Sequence, residues 1–334
     1  MTTQARSGQP YTARSRRAAG VPGGADGSAA TTGGGSPLRK PRRFADNKVA
    51  YLFMAPWFVG LVVLTAGPLM GSLYLSFTRF NLLQPPRWVG LANYVSLLTD
   101  DPRFWQSLKV TLIYVALTVP LQLSFALGVA VLLNRRVRGI AWYRSVYYLP
   151  SLLGGSVAIA VVWSQLFGGD GVVNTLLGLV GIDGISWISN PSTALYTLVL
   201  LNIWQFGSPM VIFLAGLKQI PQDLYDAAAV DGASPWRRFT SVTLPMLTPI
   251  IFFNVVLQII QAFQAFTPAY VISNGTGGPS DSTLFYTLYL YQQGFSNLSM
   301  GYASAMAWIL LIIIGFFTLA NFVLARRWVY YEDR

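Results

Sequence analysis

The chain has 334 residues; 53% are hydrophobic and 10% charged, mean hydropathy is +0.48, and the net charge is +11. An ordinary soluble domain is about 25% charged, so this balance excludes a soluble globular fold and points to a membrane protein. Cys and His are absent, which excludes disulfides, thiolate catalysis and the usual zinc and haem ligand sets, so no catalytic residue and no metal ligand is assigned.

Residues 1–37 contain no Leu, Ile, Phe or Trp and are rich in Gly, Ser, Ala, Thr and Arg. Such a composition cannot offset its ordering entropy by apolar burial, so 1–47 is predicted to be a disordered basic tail. It lacks the apolar run of a cleaved signal peptide. Six long uncharged stretches follow, at about 49–75, 110–133, 146–167, 194–217, 245–270 and 303–325. Each has the ~20 residues needed to cross a ~30 Å hydrocarbon core, and uninterrupted apolar runs of this kind form helices rather than barrel strands. The expected fold is an all-α membrane protein with six transmembrane helices over 48–328, a polar loop at 218–245 and a short tail at 329–334. The stretch 285–295 is too short and too polar for a seventh span.

Lys and Arg alternate from side to side. The tail 1–48 holds nine, the loop 134–145 four, 218–244 three and the C-terminal tail three, against four between spans 1 and 2 and none in 168–193 or 271–302. The positive-inside rule then places both termini and the 218–244 loop in the cytoplasm. The basic charge reads as a topology signal rather than a nucleic-acid footprint.

No Asp, Glu, Lys or Arg falls inside the predicted spans, which disfavours ion-coupled carriers and membrane acid–base catalysis. The polar groups inside are amides, hydroxyls and aromatic rings. In span 5, Asn254, Gln258, Gln261 and Gln264 are spaced by four, three and three, on one side of a helix, with Phe263 and Phe266 nearby. Amides beside aromatic faces suit sugar hydroxyls and the apolar faces of pyranose rings; the alternative is hydrogen bonding between helices. Span 4 offers Asn202, Trp204, Gln205 and Ser208, with Trp204 as solute contact or packing. Gly67 and Gly71 form a G-x-x-x-G suited to close helix contact, and Pro68 is a candidate kink.

The 218–245 loop has internal order. Pro221 fits the first turn of a helix, Leu224 to Asp231 is helix-prone, and Gly232 fits its C-terminal cap. Ser234 and Pro235 then restart the chain as N-cap and first helical residue, and Pro245 opens span 5. A rigid helix–glycine–helix knob suits docking in a partner's groove; an ordinary interfacial loop is the alternative. None of the four lysines follows a Gly, so the chain carries no Walker A lysine.

The string Asp226-Ala227-Ala228, two residues, Asp231-Gly232-Ala233, then Phe239 and Leu244-Pro245, resembles the EAA loop of bacterial ABC-importer permeases, with Asp226 where that family has Glu. Val89-Gly90-Leu91-Ala92-Asn93-Tyr94, Asp101-Pro102-Arg103-Phe104-Trp105 and Gly301-Tyr302-Ala303-Ser304-Ala305 extend the likeness to about 45–330, on the carbohydrate-uptake branch. The resemblance implies a type I importer permease fold with a cytoplasmic coupling helix. It implies that Asp226, Ala227, Ala228, Asp231, Gly232, Ala233, Phe239 and Pro245 engage an ATPase, and that the chain is itself no enzyme and holds no cofactor, ATP-Mg sitting in the partner. The implied partners are a second permease, two ATP-binding subunits, an extracytoplasmic solute-binding lipoprotein and a sugar, with no nucleic acid. The implied location is the bacterial cytoplasmic membrane. An ATP-independent channel or facilitator is the rival reading.

Overall fold

The structure is a computed structural model and describes residues 45–134 and 139–330. Of the expected tail 1–47, residues 1–44 lie outside the described residues, as do Arg135, Arg136, Arg138 and residues 331–334, while 45–47 are helical rather than tail. The chain divides after Pro56 into two compact units, the first described only through the opening of α1 (Ala45–Gly60).

The first apolar passage runs Tyr51–Ser76, through a wider π-helical stretch, Leu61–Ala66, into α2 (Gly67–Ser76) with Pro68 in its opening turn. Two short antiparallel strands, β1 (Thr78–Arg79) and β2 (Arg87–Trp88), and α3 (Ala92–Thr99) follow on one rim. The second passage, α4 (Pro102–Leu133), begins about eight residues earlier than expected and takes Arg103 and Lys109 into its first turns. Its start is fixed by Pro102 in the first turn and by the Asp101 carboxylate, which accepts the Phe104 N–H at 3.0 Å.

The third passage departs from expectation. The predicted single helix over 146–167 is two, α5 (Ile140–Leu153) and α6 (Val157–Phe167), followed by α7 (Val172–Leu179). By length and composition the qualifying apolar stretch is Val157–Leu179, and it includes Asp170 at its internal break. The α5–α6 break follows from Gly154, Gly155 and Ser156, whose extended backbone (ψ 148°) and side chain cap Ile159. The fourth passage is also broken, into α8 (Ala194–Trp204) and α9 (Gly207–Leu217), bent by 41°.

The loop contains α10 (Gln222–Val230) and α11 (Pro235–Arg238), which continues through a π-helical stretch (Phe239–Thr243) into α12 (Leu244–Met246) and α13 (Thr248–Phe263). A break at Gln264–Phe266 leads to α14 (Thr267–Ile272), so the fifth passage is interrupted too. Between it and α16 (Met300–Trp328), the short α15 (Tyr286–Tyr291) is no span but is buried, wedged between neighbours. The Tyr286 N–H donates to Thr111 Oγ1 and its hydroxyl donates to the Met306 carbonyl, both at 2.8 Å.

α4 is the central mast, packed against α8, α9, α13 and α15. At the end opposite the 218–245 loop, Asp101 ties three elements together: its second oxygen accepts the hydroxyls of Tyr289 (2.7 Å) and Tyr302 (2.6 Å). Arg103 donates two hydrogen bonds to Asp281 at 2.8 and 3.0 Å and lies over the Tyr289 ring. Burial, reinforced by the Asp101 carboxylate, pushes the Tyr289 phenol well above its usual range, so it stays a donor across physiological pH.

The expected close contact at Gly67 and Gly71 is absent within the described residues. A Cβ on Gly71 would meet nothing within 4 Å, and one on Gly67 only the Val62 carbonyl of its own helix, at 3.2 Å. A glycine that does permit close approach to the segment after α2 is Gly301. Its N–H donates to the Phe80 carbonyl at 3.1 Å, and an added Cβ would collide with the Thr78 carbonyl oxygen. Gly301→Val should therefore lower the thermal midpoint of the detergent-solubilised protein, at a cost of about 1–3 kcal/mol for forced overpacking. Gly71→Val should leave the isolated chain's midpoint unchanged, and a matching drop would restore a packing role within the chain for the G-x-x-x-G.

Candidate functional site: a cavity where three helices break

Residues of all three interruptions, Gly154 and Gly155, Gln205, and Ala265 and Phe266, line one cavity of about 210 Å³, together with Tyr114 of α4. A helix broken in hydrocarbon exposes carbonyls and N–H groups that cost several kcal/mol each unless paired, and such breaks are tolerated where protein or a solute pathway meets them. Here protein pairs many of them. Gln122 of α4 donates from Nε2 to the carbonyls of Asn202 (3.0 Å) and Gln205 (3.1 Å). Ser151 Oγ donates to the Gln205 carbonyl at 2.9 Å and accepts the Ser208 N–H at 3.0 Å. Gln205 Nε2 donates to the Gly154 carbonyl at 3.1 Å, closing the break of one span onto that of the other. Thr287 caps the third break by donating to the Ala265 carbonyl.

The fit is steric as well as polar. A side chain at Gly154 would overlap the Gln205 amide, and one at Gly207 would lie 2.7 Å from Ser151 Oγ and 2.8 Å from Tyr148 Cα. Polar capacity remains unspent at the cavity: Asn202 Oδ1 is buried without a partner. At about 210 Å³ the cavity is smaller than the ~300–1,000 Å³ of ordinary small-molecule pockets.

The predicted span 5 stripe divides. Gln261 is exposed and lines the cavity. Gln264 is exposed but lies past the end of α13, where the helical period stops. Asn254 and Gln258 are buried deeper in α13, at 0% and 7% exposure; Asn254 donates to the Ile250 carbonyl of its own helix and its Oδ1 has no partner. Phe263 is not beside the amides' open face: it is buried, with its ring 5.3 Å from that of Phe317. Phe266 does line the cavity, stacked among Tyr270 and Tyr291. Asn202 faces the cavity, whereas Trp204 is half-buried with its ring 6.1 Å from that of Trp163. Gln122 was missed from sequence, although it is the one amide in the second apolar stretch and so needed a partner.

At the far end of the same helices the 218–245 loop forms a rigid exposed knob. α10 begins at Gln222 with Pro221 as its N-cap, one residue later than the expected start. It ends in a Schellman motif, with Gly232 N–H on the Ala229 carbonyl (3.0 Å) and Ala233 N–H on the Ala228 carbonyl (2.9 Å). Gly232 has φ +75°, the left-handed region that favours glycine. Ser234 then caps α11, accepting the Arg237 N–H at 3.3 Å; Arg238 Nε donates to the Ala233 carbonyl, and Tyr225 and Thr243 hydroxyls bond at 2.9 Å across the two helices. Asp226, Ala227, Asp231 and Gly232 are exposed, Ala228, Ala233, Phe239 and Pro245 half-buried. The Asp226 carboxylate accepts the Gln222 amide at 3.1 Å. Val230 is 89% and Trp236 72% exposed, large apolar groups left uncovered on this chain.

Interrupted apolar helices around a cavity, joined to an exposed knob at one end, are the architecture of a membrane transport subunit. The chain belongs to the family of binding-protein-dependent transport system inner membrane components, whose pattern matches residues 102–330. It is 53% identical over 306 residues to a probable ABC transporter permease protein, YesP, of Bacillus subtilis, covering 91% of this chain and 99% of that one. It is 33% identical over 283 residues to LacF, a lactose transport system permease protein of Rhizobium radiobacter, covering 83% and 94%. Its fold is that of a chain in the crystal structure of a bacterial alginate ABC transporter in complex with an alginate pentasaccharide-bound periplasmic protein, at TM-score 0.72 and 20% identity, covering 84% of this chain and 95% of that one.

Replacing Gln122 by Leu removes one donor from each of two carbonyls that keep another, Ser151 Oγ on Gln205 and the Gln205 N–H on Asn202, and should cost about 0.5–1.5 kcal/mol per hydrogen bond lost. Thermal unfolding and uptake should both suffer in Gln122→Leu, with Gln122→Met no rescue because a thioether of similar length cannot donate. An unaltered midpoint in Gln122→Leu would show that the breaks are stabilised otherwise.

Proposed function

We propose that this chain is one of two permeases of an ATP-driven, binding-protein-dependent sugar importer, with both termini and the knob in the cytoplasm. The observation that carries this reading is the knob: a helix ending in a fixed glycine turn, rigid within itself and exposed along α10. Asp226, Ala227, Ala228, Asp231, Gly232 and Ala233 dock on a partner ATPase, which binds ATP-Mg. Phe239 and Pro245 carry its motion directly into span 5, since the chain is helical from Pro235 with a single break before Thr248. ATP-driven approach of two such ATPases would rock the paired permeases between inward- and outward-facing states. The Lys and Arg bias supports the orientation.

The solute follows the cavity of broken helices, contacting Asn202 and Gln261, while a second permease completes the enclosure. Asn254 and Gln258 lie deeper along the same helix, and Gln264 stands at its exposed end. Amides and tyrosine or phenylalanine rings without charges at the cavity suit an uncharged carbohydrate better than an ion. The lactose transport permease among the similar proteins supports a carbohydrate. Extracytoplasmic delivery by a binding protein accords with the family.

An added side chain at Gly232 would meet nothing within 4 Å in this chain, so its intrachain cost is the ~1–3 kcal/mol of left-handed strain. Gly232→Val should abolish binding-protein-stimulated uptake while membrane insertion persists, and Gly232→Asn, which tolerates that conformation, should retain part of it. Normal uptake by Gly232→Val would remove the coupling role. Gln261→Ala and Asn202→Ala should raise the half-saturating sugar concentration with the complex still assembled. Unchanged kinetics in both would reduce these amides to links between helices.

A further inference from the structure

A second cavity, distinct from the solute path, opens between α5 and α9 at the end that carries the knob. It measures about 590 Å³. Arg144, Lys218, Ser145 and Tyr148 form its polar part, and Val211, Leu214 and Ala215 its apolar wall; none of its lining residues is acidic. Val211, Ala215 and Lys218 follow one another by four and three along α9 and are all exposed. One stripe of that helix therefore passes from hydrocarbon-compatible surface to an ammonium group.

Arg144 supplies the second observation. Its Nη2 donates to the Leu133 carbonyl at the end of α4, at 3.0 Å, which fixes the guanidinium at the rim. Its Nε is fully buried and has no hydrogen-bond partner among the described residues. The phosphate-directed evidence is the basic pair itself: Arg144 and Lys218 both line the groove, no acidic residue lines it, and the planar fork of arginine matches the oxygens of a phosphate. A free phosphate would satisfy the charges but leave the apolar wall unused. A molecule with a phosphodiester head and a hydrocarbon chain satisfies both.

We propose that this groove binds an anionic phospholipid, its phosphate between Arg144 and Lys218 and an acyl chain along Val211 and Ala215. Assigning it to the cytoplasmic leaflet rests on the orientation given under Proposed function. Lys218 stands three residues before Pro221, where the knob begins. The bound lipid therefore pins α9 to α5 at the foot of the docking element, and coupling depends on anionic lipid.

The test uses the assembled transporter in nanodiscs of phosphatidylcholine mixed with phosphatidylglycerol, with retained lipid counted by native mass spectrometry. The wild-type complex should retain phosphatidylglycerol in preference to phosphatidylcholine, and excess inorganic phosphate should not displace it. Lys218→Gln, a change at an exposed position, should weaken retention about fivefold, the usual effect of one basic residue at an anionic membrane surface; Arg144→Gln should weaken it at least as much. Equal retention by the wild type and Lys218→Gln would overturn the proposal, as would displacement by inorganic phosphate. Preferential retention in a complex that shows no ATP-driven uptake would still support the lipid site, while counting against the transport reading alone.

Discussion

The structure turns on a single constraint: peptide groups inside hydrocarbon must be hydrogen-bonded. Three of the membrane passages violate helical continuity at about the same level, and the chain meets the cost with side chains chosen for the purpose. Gln122 reaches from the unbroken α4 to two carbonyls, Ser151 and Gln205 bridge the breaks of the third and fourth passages, and Thr287 reaches the fifth. Close approach of α5 to α9 at Gly154 and Gly207 makes these short links geometrically available. A cavity with the unpartnered Asn202 Oδ1 is what remains at the meeting point, and it is the proposed place where a solute exchanges its water for protein.

The two ends of the molecule then have different tasks. One rim is locked by Asp101, which accepts two tyrosine hydroxyls from distant elements, and by the Arg103–Asp281 pair. Of these, the ion pair is partly exposed and contributes little by itself; the two charge-assisted, part-buried hydroxyl bonds to one carboxylate are the stronger tie. The other end carries a knob whose internal bonds are complete but whose apolar and acidic outer face is uncovered. Rigid at the rim, open at the knob, and interrupted between them, the chain is suited to move as a body under a load applied at one face.

How much of this was legible in the sequence depends on the range of the interaction. The apolar stretches are readable because bilayer thickness dictates their length, and the knob because Gly232, Ser234 and Pro235 act on neighbours within four residues. The breaks are harder. Gly154-Gly155-Ser156 is a visible interruption, whereas the cue for the bend at Gln205-Phe206 lies just downstream: Pro209 has no N–H for the Gln205 carbonyl four residues back, and partners from α4 and α5 take that carbonyl instead. The amide stripe read correctly as a helical spacing, yet α13 stops at Phe263, so Gln264 leaves the face and Phe263 turns into the core. The Asp101 knot joins residues 188 and 201 positions apart, beyond any local pattern. Gly67 and Gly71 show the opposite error, a recognisable spacing without a contact inside this chain.

The central claim is that the 222–246 knob faces the cytoplasm and docks on an ATPase. The natural chain has no cysteine, so a single Val230→Cys at a fully uncovered position is a clean probe. In native membranes, thiol cross-linking of this variant should give a covalent adduct with an ATP-binding subunit, its yield changing with ATP, and the thiol should resist a membrane-impermeant maleimide applied from outside. Labelling from outside, with no ATPase adduct, would contradict both the orientation and the coupling role.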